Sequence, residues 1–93
     1  MLFMVIERFR NPEAAAAVYR RFEERGRMLP EGLRYVSSWV ATDLSCCFQL
    51  MECDDARLFE PWTVHWRDLV EFEIIPVVSS AEAGEMISLK RFC

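Results

Sequence analysis

Two stretches of this sequence, Leu2 to Ile6 and Ile74 to Val78, are apolar at every position. Side chains alternate faces along a strand, so an unbroken apolar run puts hydrophobic surface on both sides of its sheet. This requirement, two faces to be covered by a chain of only 93 residues, constrains the fold more than any motif. The length predicts a single domain over residues 1–93, and a composition that is 53% hydrophobic and 28% charged predicts a packed core in place of disorder.

The coarse pattern is β-α-β-β-α-β. Residues 2–9 read as a strand. Asn11-Pro12-Glu13 is a helix-start signal, with Asn11 as the cap and Pro12 in the first position, for a helix running to about Arg25 and stopped by Gly26. Its inner face would carry Ala15, Val18, Tyr19 and Phe22. A turn at Pro30-Glu31-Gly32 leads to a second strand over 33–42. A tight hairpin at 42–45 pairs it with a third over 46–53, placing Trp39 opposite Phe48, Ser38 opposite Gln49 and Tyr35 opposite Glu52. Asp54-Asp55 caps a second helix with an inner stripe of Leu58, Phe59, Trp62, His65 or Trp66, and Leu69. Pro61 predicts that this helix is kinked or starts late. The last strand, 70–78, contains Pro76 and belongs at a sheet edge. A short helical tail is expected over about 80–89.

The fold class that fits is α+β, a ferredoxin-like βαββαβ sandwich with a four-stranded antiparallel sheet. Its two helices cover one sheet face. The other face is apolar as well, and the simplest cover is a second copy, so a homodimer through the sheet face is expected.

Charge and composition exclude several classes. Eleven basic and fifteen acidic residues give a net charge of −4, so neither nucleic acid nor an anionic membrane is an expected partner. No run reaches the length of a membrane span, and no secretory leader is recognisable, which points to the cytoplasm. The cysteines, Cys46, Cys47, Cys53 and Cys93, are expected to be reduced thiols, since Cys46 and Cys47 point to opposite faces of one strand. They form no zinc-binding spacing with the single histidine, and no glycine loop suits a phosphate, so no metal or cofactor is expected.

At this point a resemblance emerges. Met1-Leu2-Phe3-Met4-Val5-Ile6-Glu7-Arg8, Pro30-Glu31-Gly32-Leu33-Arg34-Tyr35, Ser38-Trp39-Val40, Cys47-Phe48-Gln49-Leu50-Met51-Glu52 and the segment from Trp66 to Val77 resemble domain-of-unknown-function family 3303, a bacterial family of small proteins. That family is similar to the dimeric α/β-barrel superfamily. The resemblance implies a barrel formed by two chains and leaves the activity open. Relatives in the superfamily include cofactor-free monooxygenases, haem-degrading enzymes, haem proteins and plain binding modules. Pro61 departs from the family pattern in the second helix. The haem-degrading relatives place a histidine on the second helix, an asparagine on the first strand and a tryptophan on a strand. His65 and Trp39 are similarly placed, but the first strand has no asparagine.

Candidate site residues follow. His65 is the only side chain with an unperturbed pKa near neutrality and is the candidate catalytic base, weighed against an ordinary histidine at the rim of a helix. Trp39, Trp62 and Trp66 are candidates for an aromatic pocket, although tryptophans at helical spacing usually serve the core. Ser38 and Gln49 either bond each other, which is the expectation, or aim at a ligand. Glu7 is expected to form an ordinary ion pair, with a desolvated acid of raised pKa as the alternative. The first functional reading is a homodimeric ligand-binding or regulatory module with an apolar, aromatic cleft between sheet and helices. The second is a cofactor-independent monooxygenase or isomerase using His65 as base. A third and distant reading is haem binding or degradation through His65.

Overall fold

The fold, a computed structural model that describes the backbone of residues 1–92 and side chains through residue 88, is α+β and ferredoxin-like. Strands β1 (Leu2–Phe9), β2 (Arg34–Val40), β3 (Cys46–Glu52) and β4 (Val70–Val77) form one antiparallel sheet in the order β2-β3-β1-β4. Helices α1 (Ala14–Arg25) and α2 (Phe59–Thr63) complete the βαββαβ order, and α3 (Ser80–Phe92) follows. The thiol expected at Cys93 lies outside the described residues.

The strand pattern sorts the side chains cleanly. Along β1, Phe3, Val5 and Glu7 are buried on the helix side, whereas Leu2, Met4 and Ile6 are half-buried on the other. β1 is central, which is why it is apolar on both faces. The helix-side core joins Phe3, Val5 and Met51 of the sheet to Phe59, Trp62 and Trp66. Rings of Phe3 and Phe59 meet edge to face at 5.1 Å between centroids, a preferred aromatic geometry. On the opposite face the register stacks Ser37, Leu50, Met4 and Ile75 in one row and Trp39, Phe48, Ile6 and Glu73 in the next. Pro76 sits in β4 at the sheet edge, where its missing N–H interrupts no outer ladder.

The hairpin pairs Trp39 with Phe48 and Ser38 with Gln49, as its even loop predicts. The expected Tyr35–Glu52 pair is corrected: a bulge between Tyr35 and Ser37 sets Tyr35 opposite Met51 and Arg34 opposite Glu52. One extra residue on β2 is enough to shift the register beyond it. Val36, within the bulge, is exposed.

Helix starts differ from the sequence signals for local reasons. Asn11-Pro12-Glu13 is a turn closed by the Ala14 N–H on the Asn11 carbonyl at 3.1 Å, and α1 begins after it, with Glu13 as the cap residue and no side-chain cap bond. Gly26, at φ 68°, stops it, donating its N–H to the Phe22 carbonyl at 2.7 Å. The second helical segment opens as a 3₁₀ turn over Ala56–Leu58, capped by Asp55, and becomes α-helical only at Phe59. Pro61 explains the late start: as the third residue of α2 it occupies a position whose N–H has no intrahelical acceptor. α3 is opened by Ser79, whose Oγ accepts from the Glu82 N–H at 3.1 Å, a side-chain N-cap, and donates to the Glu82 carboxylate at 3.3 Å. Its described side chains are exposed apart from the half-buried Ala83, and the molecule reaches 51 Å along its longest axis. Among the described residues, no helix is long and apolar enough to cross a membrane.

Candidate functional site

A cavity of about 120 Å³ lies between the helix side of the sheet and α1. Glu7 and Phe9 of β1, Ser38 of β2, and Cys47 and Gln49 of β3 line it from the sheet. Val18, Tyr19 and Phe22 of α1 face them, and Arg27, Trp62 and Trp66 close the sides. Tyr19 and Phe22 are too exposed to count as core; they stand where α1 meets solvent.

The polar residues form one chain. Arg27 Nε donates to Gln49 Oε1 at 2.8 Å, and Gln49 Nε2 donates to Glu7 Oε2 at 3.1 Å. A guanidinium and a carboxylate are thereby joined through an amide whose orientation the two bonds fix. Glu7 and Gln49 are only 8% and 5% exposed. Burial pushes the Glu7 carboxyl above its ordinary range, opposed by hydrogen bonds from the Cys47 thiol and Gln49 and by the charge of Arg27. The Cys47 thiol is in turn pushed up to about 12 by burial and by the neighbouring Glu7. A thiol held protonated in this way is a poor nucleophile. The Tyr19 hydroxyl is also raised, chiefly by burial.

Arg27 is held by more than its side chain. Its backbone carbonyl accepts from both Trp62 Nε1 at 3.0 Å and Trp66 Nε1 at 3.2 Å. Its guanidinium lies 3.6 Å from the Tyr35 ring centroid and 5.1 Å from that of Phe22, within cation–π range. The strap after α1 therefore delivers Arg27 to the cavity because Gly26 turns the chain and two indoles seize the next carbonyl. Arg21 fastens the same wall. It forms a bidentate pair with Asp68 at 2.8 Å, donates to the His65 carbonyl at 2.7 Å, and lies 5.7 Å from the Trp66 ring.

Of the candidates read from sequence, Gln49, Ser38, Trp62 and Trp66 come together at the cavity. Trp39 does not: it is 57% exposed on the opposite sheet face, beside Phe48. His65 is exposed and outside the lining, because the helical turn buries Trp66 in its place. The condition for a His65 base, an imidazole opening into the cleft beside Gln49, is not met. Ser38 and Gln49 do not bond each other. The Ser38 hydroxyl pairs with the Tyr35 hydroxyl at 2.8 Å, while Gln49 is taken by Arg27 and Glu7. Glu7 is the desolvated acid and not the ordinary ion pair.

Sequence reasoning weighed Glu7 as a desolvated acid but preferred an ordinary ion pair, and it passed over Arg27. Glu7 carried a signal, being the one charged position in the inward series Phe3, Val5, Glu7, Phe9. Arg27 carried none, since its placement depends on backbone capture by residues 35 and 39 positions away. Among the described residues no cluster of His, Cys, Asp and Glu has metal-binding geometry.

Residues 1–90 match the family described as Domain of unknown function (DUF3303), and the chain belongs to that family. No curated protein matches it.

Proposed function

We propose that this family member is a homodimeric binding module whose cavity takes a small, largely apolar molecule. The observation that carries the reading is a cavity walled by Val18, Phe22, Trp62 and Trp66 with a buried Glu7–Gln49–Arg27 chain in its lining. Small-molecule sites combine apolar walls with a few fixed polar groups in this way. The dimer reading rests on the apolar sheet face that α1 and α2 leave uncovered, rimmed by the ion pairs Arg34–Glu52 and Arg8–Glu73. A volume of this size suits a single ring, and the lining offers no histidine to hold haem.

A thermal-shift screen of small apolar compounds tests the module. Compounds that bind the folded state raise its melting temperature without being consumed, and the gain is lost in Val18→Trp, which fills the cavity. A screen without hits, or hits untouched by Val18→Trp, overturns the reading. The raised Glu7 carboxyl favours one second reading, proton transfer of the isomerase type with Glu7 in the role first given to His65. Consumption of a stabilising compound, abolished in Glu7→Gln, distinguishes it.

A further inference from the structure

The cavity's charge pattern restricts its ligand further than its shape does. Engineered apolar cavities of roughly 150 Å³ admit benzene, so a partly open space of about 120 Å³ suits one ring or a body of similar bulk. Arg27 and Glu7 are already joined through the Gln49 amide. An anionic ligand would meet the Glu7 carboxylate without displacing it. A cationic one would meet the Arg27 guanidinium, which Gln49, Tyr35 and Phe22 hold in place. A neutral hydrogen-bond donor avoids both penalties. It finds an acceptor in the Glu7 carboxylate, whose oxygens keep lone pairs beyond those taken by Gln49 Nε2 and the Cys47 thiol.

We propose that the cavity selects a neutral, ring-sized compound carrying a hydroxyl, with the hydroxyl donating to Glu7 and the ring lying among Val18, Phe22, Trp62 and Trp66. This inference rests on the binding-module reading and deepens it by naming the ligand class. Glu7 is the specificity-determining group, and Arg27 acts through Gln49 as a positioning residue.

Phenol, benzene, benzylamine and benzoate are the probes. Binding is read from the indole N–H signals of Trp62 and Trp66, with the exposed Trp39 as internal reference. Phenol is expected to bind about tenfold more tightly than benzene, the ratio that one hydrogen bond to a charged acceptor supplies, and more tightly than either charged probe. In Glu7→Leu that preference collapses while benzene binding persists; Glu7→Gln falls between. Equal binding of phenol and benzene, a preference that survives Glu7→Leu, or tighter binding of benzylamine or benzoate overturns the inference and leaves the cavity a binding site. If none of the four probes moves the Trp62 and Trp66 signals, the binding-module reading falls and takes the inference with it. The wild-type ranking decides the matter even if the variants fail to fold.

Discussion

At the scale of single residues, Glu7 makes the most specific demand on stability. Its carboxyl is raised from the ordinary value of 4.5, so between that value and the raised one the folded state holds a proton that the unfolded state has lost. Stability must therefore fall as pH rises through this window, and the burial penalty is absent below it. Of the groups that face Glu7, the Cys47 thiol at about 12 and the raised Tyr19 hydroxyl stay protonated there. Asp68, held low by Arg21, acts at more acidic pH and in the opposite sense, losing its contribution as pH falls. Denaturant unfolding from pH 4 to pH 8 should show a decline in stability that Glu7→Gln abolishes, since glutamine accepts the Gln49 bond without titrating. A decline of equal size in the variant would assign the slope elsewhere. The position was legible in the sequence as an acid on an inward, apolar series. Its partner was not, because the amide bridge requires Arg27 to arrive from a strap whose path only the folded tryptophans determine.

At the scale of elements, the connections rather than the strands carry the information that sequence pattern withheld. Strand pairing followed alternation and loop parity until the Tyr35–Ser37 bulge, a feature with no compositional marker. The second helix was correctly read as disturbed by Pro61, but its resolution into a 3₁₀ turn followed by five α-helical residues depends on where an N–H can be spared. The turn before β2 is a firmer case. The Leu33 N–H donates to the Pro30 carbonyl at 3.2 Å, and Gly32 has φ 94°, a conformation in the third turn position that favours glycine. A Cβ at Gly32 would come within 3.1 Å of Leu58 Cδ1. Gly32→Ala is therefore expected to cost about 1–2 kcal/mol from backbone strain, with some relief because the leucine tip is flexible. Chemical denaturation measures it, and a neutral effect would mean that the turn relaxes to another geometry. The substitution should leave probe binding at the Glu7 cavity unchanged, because Gly32 does not line it.

At the scale of the molecule, the uncovered sheet face and the outlying α3 pose one problem. Leu2, Met4, Ile6, Phe48 and Leu50 lie half-buried on a face that α1 and α2 do not reach, with Trp39 and Ile75 more exposed beside them. Both signs of charge are already paired around it through Arg34–Glu52, Arg8–Glu73 and Arg10–Glu71. An apolar centre with a charge-balanced rim suits a two-fold contact, because a copy turned onto itself meets no unpaired like charge. Four strands of 7–8 residues offer a plan area on the order of 450 Å², below the roughly 800 Å² per partner of a stable interface. In the proposed dimer, α3 would supply the missing surface. A helix of 13 residues is marginal when isolated, and its Met86 and Ile87 are 50% and 61% exposed. Sedimentation at micromolar concentration is thus expected to give twice the mass of the chain. Leu50→Lys, which puts a charge in the row between Ser37 and Met4 on the face away from the cavity, should reduce it to one chain mass while Trp62 and Trp66 keep their response to phenol. Ile87→Lys should weaken association less, by removing only the contribution of α3. A wild-type chain that stays single and folded at that concentration would show that water is tolerated across the whole open face. Dissociation by Leu50→Lys with loss of the cavity response would instead tie ligand binding to the assembled pair.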